Sequence, residues 1–130
     1  MKRMLPAVLI ILLLFTGCGG NSMNENSYQQ ITQEAAKEMM DTQEVVILDV
    51  REQHEYDSVH IPGAVLLPVG TIAEDTAAAV IDDLDTAVLV YCRSGNRSKT
   101  ASQALTDLGY TNVYEFGGIN DWPYEIEESL

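Results

Sequence analysis

Apolar residues along this chain fall into two patterns that alternate from about residue 28 onward. Residues 45–50 (VVILDV) and 87–91 (AVLVY) form short, nearly unbroken runs rich in β-branched side chains. Runs of this kind read as strands covered on both faces, as in a parallel sheet. Between them lie segments with helical spacing. Residues 31–41 read as a short helix, with Thr32 as N-cap and Ala35 and Met39 one turn apart. Residues 71–84 place Ala77, Val80, Ile81 and Leu84 on one face, with Thr71 and Glu74 spaced as a capping box. Residues 97–108 place Ala101, Ala104, Leu105 and Leu108 on one face, and Gly109 follows as the residue that ends the helix. Shorter elements complete the pattern: an edge strand at 28–31, a polar helix at 52–57, a turn at Ile61-Pro62-Gly63, and strands at 64–67 and 113–116. A turn carrying Trp122 comes last.

Strands alternating with helices imply an α/β domain, a parallel sheet with helices on both faces. With 130 residues there is room for one such domain. Ligands bind beyond the carboxyl ends of the strands in sheets of this type. Asp49 to Arg51 and Cys92 to Arg97 both fall at such ends, so chemistry is expected there.

The first residues follow different rules. Lys2 and Arg3 precede an apolar run at 5–15, a layout expected of a secretory signal. The run ends in Phe15-Thr16-Gly17-Cys18, which resembles the lipobox of bacterial lipoproteins, although Phe15 stands where Leu is commoner. The resemblance implies removal of residues 1–17, lipidation of Cys18, a flexible tether at 18–27 and a folded domain at 28–130. The protein would then be exported and held on a membrane of the cell envelope, with two acyl chains giving a stable anchor where one gives marginal binding. Losing Lys2 and Arg3 leaves five Lys/Arg against 20 Asp/Glu, a formal charge of −15. A surface so acidic repels nucleic acid and anionic headgroups, and suits a monomer.

The chain has two cysteines. With Cys18 lipidated, Cys92 is the one free thiol. That rules out an intramolecular disulfide or a metal site built on several cysteines. Exported cysteines are usually paired, and reactivity is the reason to keep a lone one. Cys92 opens the loop Cys92-Arg93-Ser94-Gly95-Asn96-Arg97-Ser98, between an apolar strand and an amphipathic helix. Such a loop turns backbone amides inward at a helix N-terminus, which favours an anion. A thiol at its floor is expected to ionise easily and act as a nucleophile. Arg93, Arg97 and Lys99 concentrate positive charge beside it.

Three stretches carry a family resemblance. LDVREQHEYDSVHIPGAVLLP (48–68), YCRSGNRS (91–98) and FGGINDW (116–122) resemble, in order and spacing, the conserved segments of the rhodanese domain. One departure is Val59, which stands before His60 where the family commonly has Gly. The resemblance implies a five-stranded parallel sheet flanked by helices and a sulfurtransferase activity. Cys92 would take a sulfane sulfur from a small anionic donor such as thiosulfate and pass it from a persulfide to a thiol or cyanide. The amides of Arg93, Ser94, Gly95, Asn96, Arg97 and Ser98 would stabilise the charged sulfur, and the guanidinium groups of Arg93 and Arg97 would bind the donor. No metal or organic cofactor is expected.

Two other functions fit the same residues. A phosphatase or arsenate reductase is one; phosphatases with a related loop place Arg after five intervening residues. Here that position is Ser98, and Arg97 follows only four. A persulfide-carrying or binding module without catalysis is the other. Of the remaining polar residues, Asp49 is expected to be structural, Arg51 to pair with Glu55 one turn on, and His60 to serve a turn rather than a Cys–His dyad. Trp122 and Tyr124 are expected in packing.

Overall fold

The computed structural model describes residues 27–129. The expected signal segment 1–17, Cys18 and all but the last residue of the tether lie outside the described residues. In chain order the elements are β1 (Gln29–Gln30), α1 (Gln33–Thr42), β2 (Val46–Asp49), α2 (Gln53–Ser58), β3 (Val59–His60), β4 (Val65–Leu66), α3 (Glu74–Ala78), β5 (Val88–Cys92), α4 (Asn96–Asp107), β6 (Val113–Gly118) and β7 (Glu127–Glu128). Short 3₁₀ turns occupy Val69–Thr71 and Ile119–Asp121. Five strands form one parallel sheet in the order β1-β6-β5-β2-β4, and β3 pairs with β7 in a separate antiparallel ribbon.

The unbroken apolar runs become the central strands because both of their faces are covered. All five residues of β5 are buried. Val88, Val90 and Cys92 face a core shared with Ala77 and Ile81 near α3 and with Ala101 and Leu105 of α4. Leu89 and Tyr91 face the opposite core, with Ala36 of α1, Ile61, Phe116 and Trp122. Helices thus cover both faces of the sheet, as the alternation of patterns implies. Each large apolar side chain buried this way contributes on the order of 1.5–3 kcal/mol relative to exposure.

Two helix ends follow from local chemistry. The Thr32 hydroxyl accepts the Ala35 amide at 3.0 Å, the N-cap expected of α1. At the end of α4, Gly109 has φ +102°, and the amides of Gly109 and Tyr110 return to the carbonyls of Thr106 and Leu105 in a Schellman motif.

The helix expected over 71–84 is much shorter, only Glu74–Ala78. Thr71 does not cap it. Its hydroxyl donates to the Pro68 carbonyl at 2.8 Å, and the Thr76 hydroxyl accepts the Ala73 amide instead. Continuing the helix would place Asp82, Asp83 and Asp85 at its C-terminus, where the dipole disfavours negative charge. The chain turns there, with the Thr86 hydroxyl accepting the Asp83 amide, and Leu84 is left exposed. Among the described residues, no helix is long and apolar enough to cross a membrane.

Candidate active site

Strand β5 ends at Cys92 and α4 begins at Asn96, so the chain reverses within three residues. Gly95 makes this possible, because its φ of +110° is strained for any residue with a Cβ. The turn brings the Gly95 amide to 3.0 Å from Cys92 Sγ. The Ser98 hydroxyl oxygen, from the first turn of α4, lies 3.5 Å from the same sulfur. The thiol is 1% exposed. Burial opposes its ionisation. Contacts with the Ser98 side chain and with the amides of Ser98, Gly95 and Ser94 outweigh burial and hold its pKa below the ordinary value.

The loop is pressed from behind by β6 and the turn that follows. Cys92 is in register with Gly118, and the Arg93 carbonyl accepts the Asn120 amide at 3.1 Å. A Cβ on Gly118 would run into the backbone of Arg93 and Ser94, so only glycine admits this close approach. Gly118 therefore acts on the loop although it stands far from it in sequence.

The predicted site residues divide by position. Gly95 and Ser98 are buried beneath the sulfur, whereas Arg93, Ser94 and Asn96 are exposed on the rim. Arg97 is half-buried and is not free to meet a ligand. Its Nη1 and Nη2 donate to Glu55 Oε2 and Oε1 at 2.7 and 2.9 Å, a bidentate pair. Hydrogen bonding from Arg97 holds the Glu55 carboxyl down at about 2.

The expected Arg51–Glu55 pair is therefore not formed. Arg51 turns back to Asp49, donating from Nε and Nη2, and its Nη2 also reaches the Val59 carbonyl at 2.6 Å. An i,i+2 contact wins because Asp49 is fully buried and needs donors, while Glu55 is taken by Arg97. Asp49 also accepts the Tyr91 hydroxyl at 2.8 Å, and that hydroxyl accepts the Ile61 amide. Asp49 is thus structural, as expected. Its network ties the ends of β2 and β5 to the turn at Ile61.

His60 does not reach Cys92. Its ring stacks on Tyr56, and its nitrogens lie 2.8 Å from the Tyr56 carbonyl and 3.0 Å from Glu127 Oε2. Trp122 packs between Phe116 and Tyr124.

A cleft of about 400 Å³ opens beside the loop, lined by Arg51, His54, Glu55, Arg93 and Asn120 among others. Among the described residues, Arg93 makes no ion pair, so it is the loop guanidinium left to face this cleft. No group of three or more His, Cys, Asp or Glu among the described residues could hold a metal ion.

One residue of the site has no counterpart in the sequence reading. Glu115 of β6 is 3% exposed, yet its carboxylate accepts the Ser98 hydroxyl at 2.7 Å and the Gly117 amide at 2.8 Å. A lone acid inside the apolar run Val-Tyr-Glu-Phe was the available signal.

A parallel sheet with a strand-end cysteine cradled by helix-turn amides defines an α/β domain built around a reactive thiol. The sequence profile of the rhodanese-like domain matches residues 32–124, and the chain belongs to that family. It is 36% identical over 121 residues to Bacillus subtilis YrkF, a protein named for a proposed sulfur-carrier role. That match covers 90% of this chain and 64% of YrkF. It is 40% identical over 74 residues to the thiosulfate sulfurtransferase PspE of Escherichia coli, covering 57% of this chain and 70% of PspE. The solved structure of BH2092 from Bacillus halodurans superposes with a TM-score of 0.70 at 25% identity, covering 83% of this chain and 82% of that one. Sulfur transfer of the rhodanese type, between a donor and an acceptor, is the chemistry these relatives support.

Proposed function

We propose that this chain is a sulfurtransferase that carries sulfane sulfur as a persulfide on Cys92, with thiosulfate or a similar small anion as donor and a thiol or cyanide as acceptor. The observation that carries the reading is the thiol itself. It is buried, it receives the Gly95 amide, and its ionisation is favoured by the donors around it.

The thiolate attacks the outer sulfur of the donor. An S–S bond forms to Cys92, and the donor's own S–S bond breaks, its electron pair leaving with sulfite. The acceptor then attacks the outer sulfur of the persulfide, and the pair of that S–S bond returns to Cys92 Sγ. The lowered Cys92 pKa favours the thiolate that makes the first attack, and a cyanide or thiolate acceptor has no proton to lose in the second, so neither step calls for a separate base. Charge on the inner sulfur stays among preorganised donors throughout. Arg93, free of carboxylate partners, attracts the anionic donor into the cleft, while Arg97 supports the loop through Glu55.

Treatment with thiosulfate should add about 32 Da, one sulfur atom, to Cys92, and cyanide should remove it. Cys92→Ala should take up nothing and turn nothing over. Wild-type turnover in that variant would defeat the reading.

The same proposal places the domain on a membrane of the cell envelope through a lipidated Cys18. The apolar run before Cys18 and the small residues beside it support this. In the cells that make it, Cys18→Ser should move the protein from the membrane to the soluble or medium fraction. A Cys18→Ser protein that stays with the membrane would exclude the lipid anchor.

A further inference from the structure

The Ser98 hydroxyl faces three oxygen acceptors, and the Cys92 thiol donates toward its oxygen. Its oxygen lies 2.7 Å from Glu115 Oε1, 2.9 Å from the Gly95 carbonyl, 3.4 Å from the Gly117 carbonyl and 3.5 Å from Cys92 Sγ. A hydroxyl has one hydrogen to give. The shortest contact is the one to Glu115. The steps of sulfur transfer make no use of this buried carboxylate.

The charged groups around the thiol come from each neighbouring element. The loop supplies Arg93. Helix α4 supplies Arg97, tied to Glu55 of α2, and Lys99. Asp49 and Arg51 pair with each other at the end of β2. Strand β6 supplies Glu115. Of these side chains, only Glu115 hydrogen-bonds to Ser98.

We propose that Glu115 is a positioning residue: by holding the Ser98 hydrogen it withholds that hydrogen from Cys92 Sγ, and so slows the step in which Cys92 leaves with the electron pair of the persulfide S–S bond. A sulfur leaves more slowly when the negative charge it acquires is less well stabilised. The loaded domain then keeps its sulfur until a strongly thiophilic acceptor arrives, which is the behaviour of a carrier. The discharge half of this inference rests on the persulfide reading. The coupling of Glu115 to the thiol does not.

The test is Glu115→Gln, alone and combined with Ser98→Ala, read first by the pH dependence of Cys92 alkylation with iodoacetamide. Glutamine is neutral and can donate to Ser98, which frees the hydroxyl hydrogen for the sulfur. The alkylation midpoint should fall by about one to two pH units, the worth of one hydrogen bond to a charged group. Discharge of preloaded persulfide to cyanide, followed by mass spectrometry, should speed up several-fold. In the Ser98→Ala background the shift should vanish. An unchanged midpoint in Glu115→Gln overturns the proposal. A shift that survives Ser98→Ala also overturns it, since the carboxylate would then act through its field alone. If Glu115→Gln lacks a folded circular-dichroism spectrum, Glu115→Asp carries the test: its carboxylate stands one methylene further back, so the midpoint should fall by less, and an unmoved midpoint is again decisive. A wild-type protein that takes up no sulfur would defeat the discharge claim along with the persulfide reading, and the alkylation midpoint would still judge the coupling.

Discussion

Gly118→Ala is the sharpest perturbation of the loop that leaves every loop residue in place. Gly118 has φ −132° and ψ 155°, ordinary extended backbone that alanine adopts freely, so no conformational strain enters. The difficulty is space. An added Cβ would stand 2.6 Å from the Ser94 nitrogen, and closer still to the carbonyl group of Arg93. Comfortable contacts are about 3.5–4.0 Å, so the loop must move by more than about 1 Å. It cannot yield by rotating a side chain, because the opposing atoms are all backbone. Overpacking of this kind costs about 1–3 kcal/mol, and at about 4–8 °C per kcal/mol the melting temperature should fall by roughly 5–20 °C. Activity should suffer more. The Gly95 amide sits 3.0 Å from Cys92 Sγ, and a shift of about 1 Å in that cradle can cost on the order of a hundredfold in rate. Gly70→Ala is the control, since nothing lies within 4 Å of a Cβ added there. Thermal unfolding, the alkylation midpoint of Cys92 and thiosulfate turnover should all separate the two variants. If Gly118→Ala matched Gly70→Ala in all three, the claim that β6 sets the loop's geometry by close approach would fail.

Two further outcomes follow from the paired charges. Arg97 holds the Glu55 carboxyl down at about 2, below its ordinary value of 4.5, so the ion pair's stabilisation is fully present above about pH 4.5 and is lost as pH falls through about 2. Glu55→Gln should therefore cost on the order of 1–3 kcal/mol near neutrality, and urea unfolding should show the gap to wild type closing between about pH 4.5 and 2; a gap that does not change with pH would contradict it. Asp49→Ala strands the Arg51 guanidinium in a site where it is 3% exposed, at a cost of about 3–5 kcal/mol. A loss below about 1 kcal/mol in urea unfolding would mean that Arg51 finds another partner.

Much of this architecture is legible in the sequence, for identifiable reasons. Runs such as 45–50 and 87–91 have no polar face to offer solvent, so they must lie inside a covered sheet, and β2 and β5 do. Position within a run also locates Cys92 at a strand's carboxyl end. What local pattern misses is competition between distant groups. Glu55 sits one turn from Arg51, which is enough to suggest a pair, but Arg97 lies 42 residues away and offers a bidentate fork. The helix expected from Thr71 fails for a local reason: hydrophobic spacing does not register that the Thr71 hydroxyl is drawn to the Pro68 carbonyl three residues back. Glu115 and Gly118 act on a loop some twenty residues earlier, through strand register that periodicity within one element does not contain.

The same long-range pairing bears on the competing phosphatase reading. A loop that binds a phosphate dianion needs a guanidinium able to fold over its oxygens, in addition to inward amides. This loop has four residues between Cys92 and Arg97, and both terminal nitrogens of Arg97 are engaged by the Glu55 carboxylate. Releasing Arg97 to a phosphate would leave Glu55, 16% exposed at its side chain, without its partner and beside an incoming anion. Both consequences oppose binding. A single sulfane sulfur carries less charge and needs no guanidinium above it, only amides of the kind that Gly95 supplies. The free Arg93 then has the looser task of drawing a donor anion into the cleft. The Glu55–Arg97 pair thus weights the site toward sulfur. Paired assays with thiosulfate plus cyanide and with an aryl phosphate should show turnover of the first alone, and turnover of only the phosphate ester would reverse the assignment.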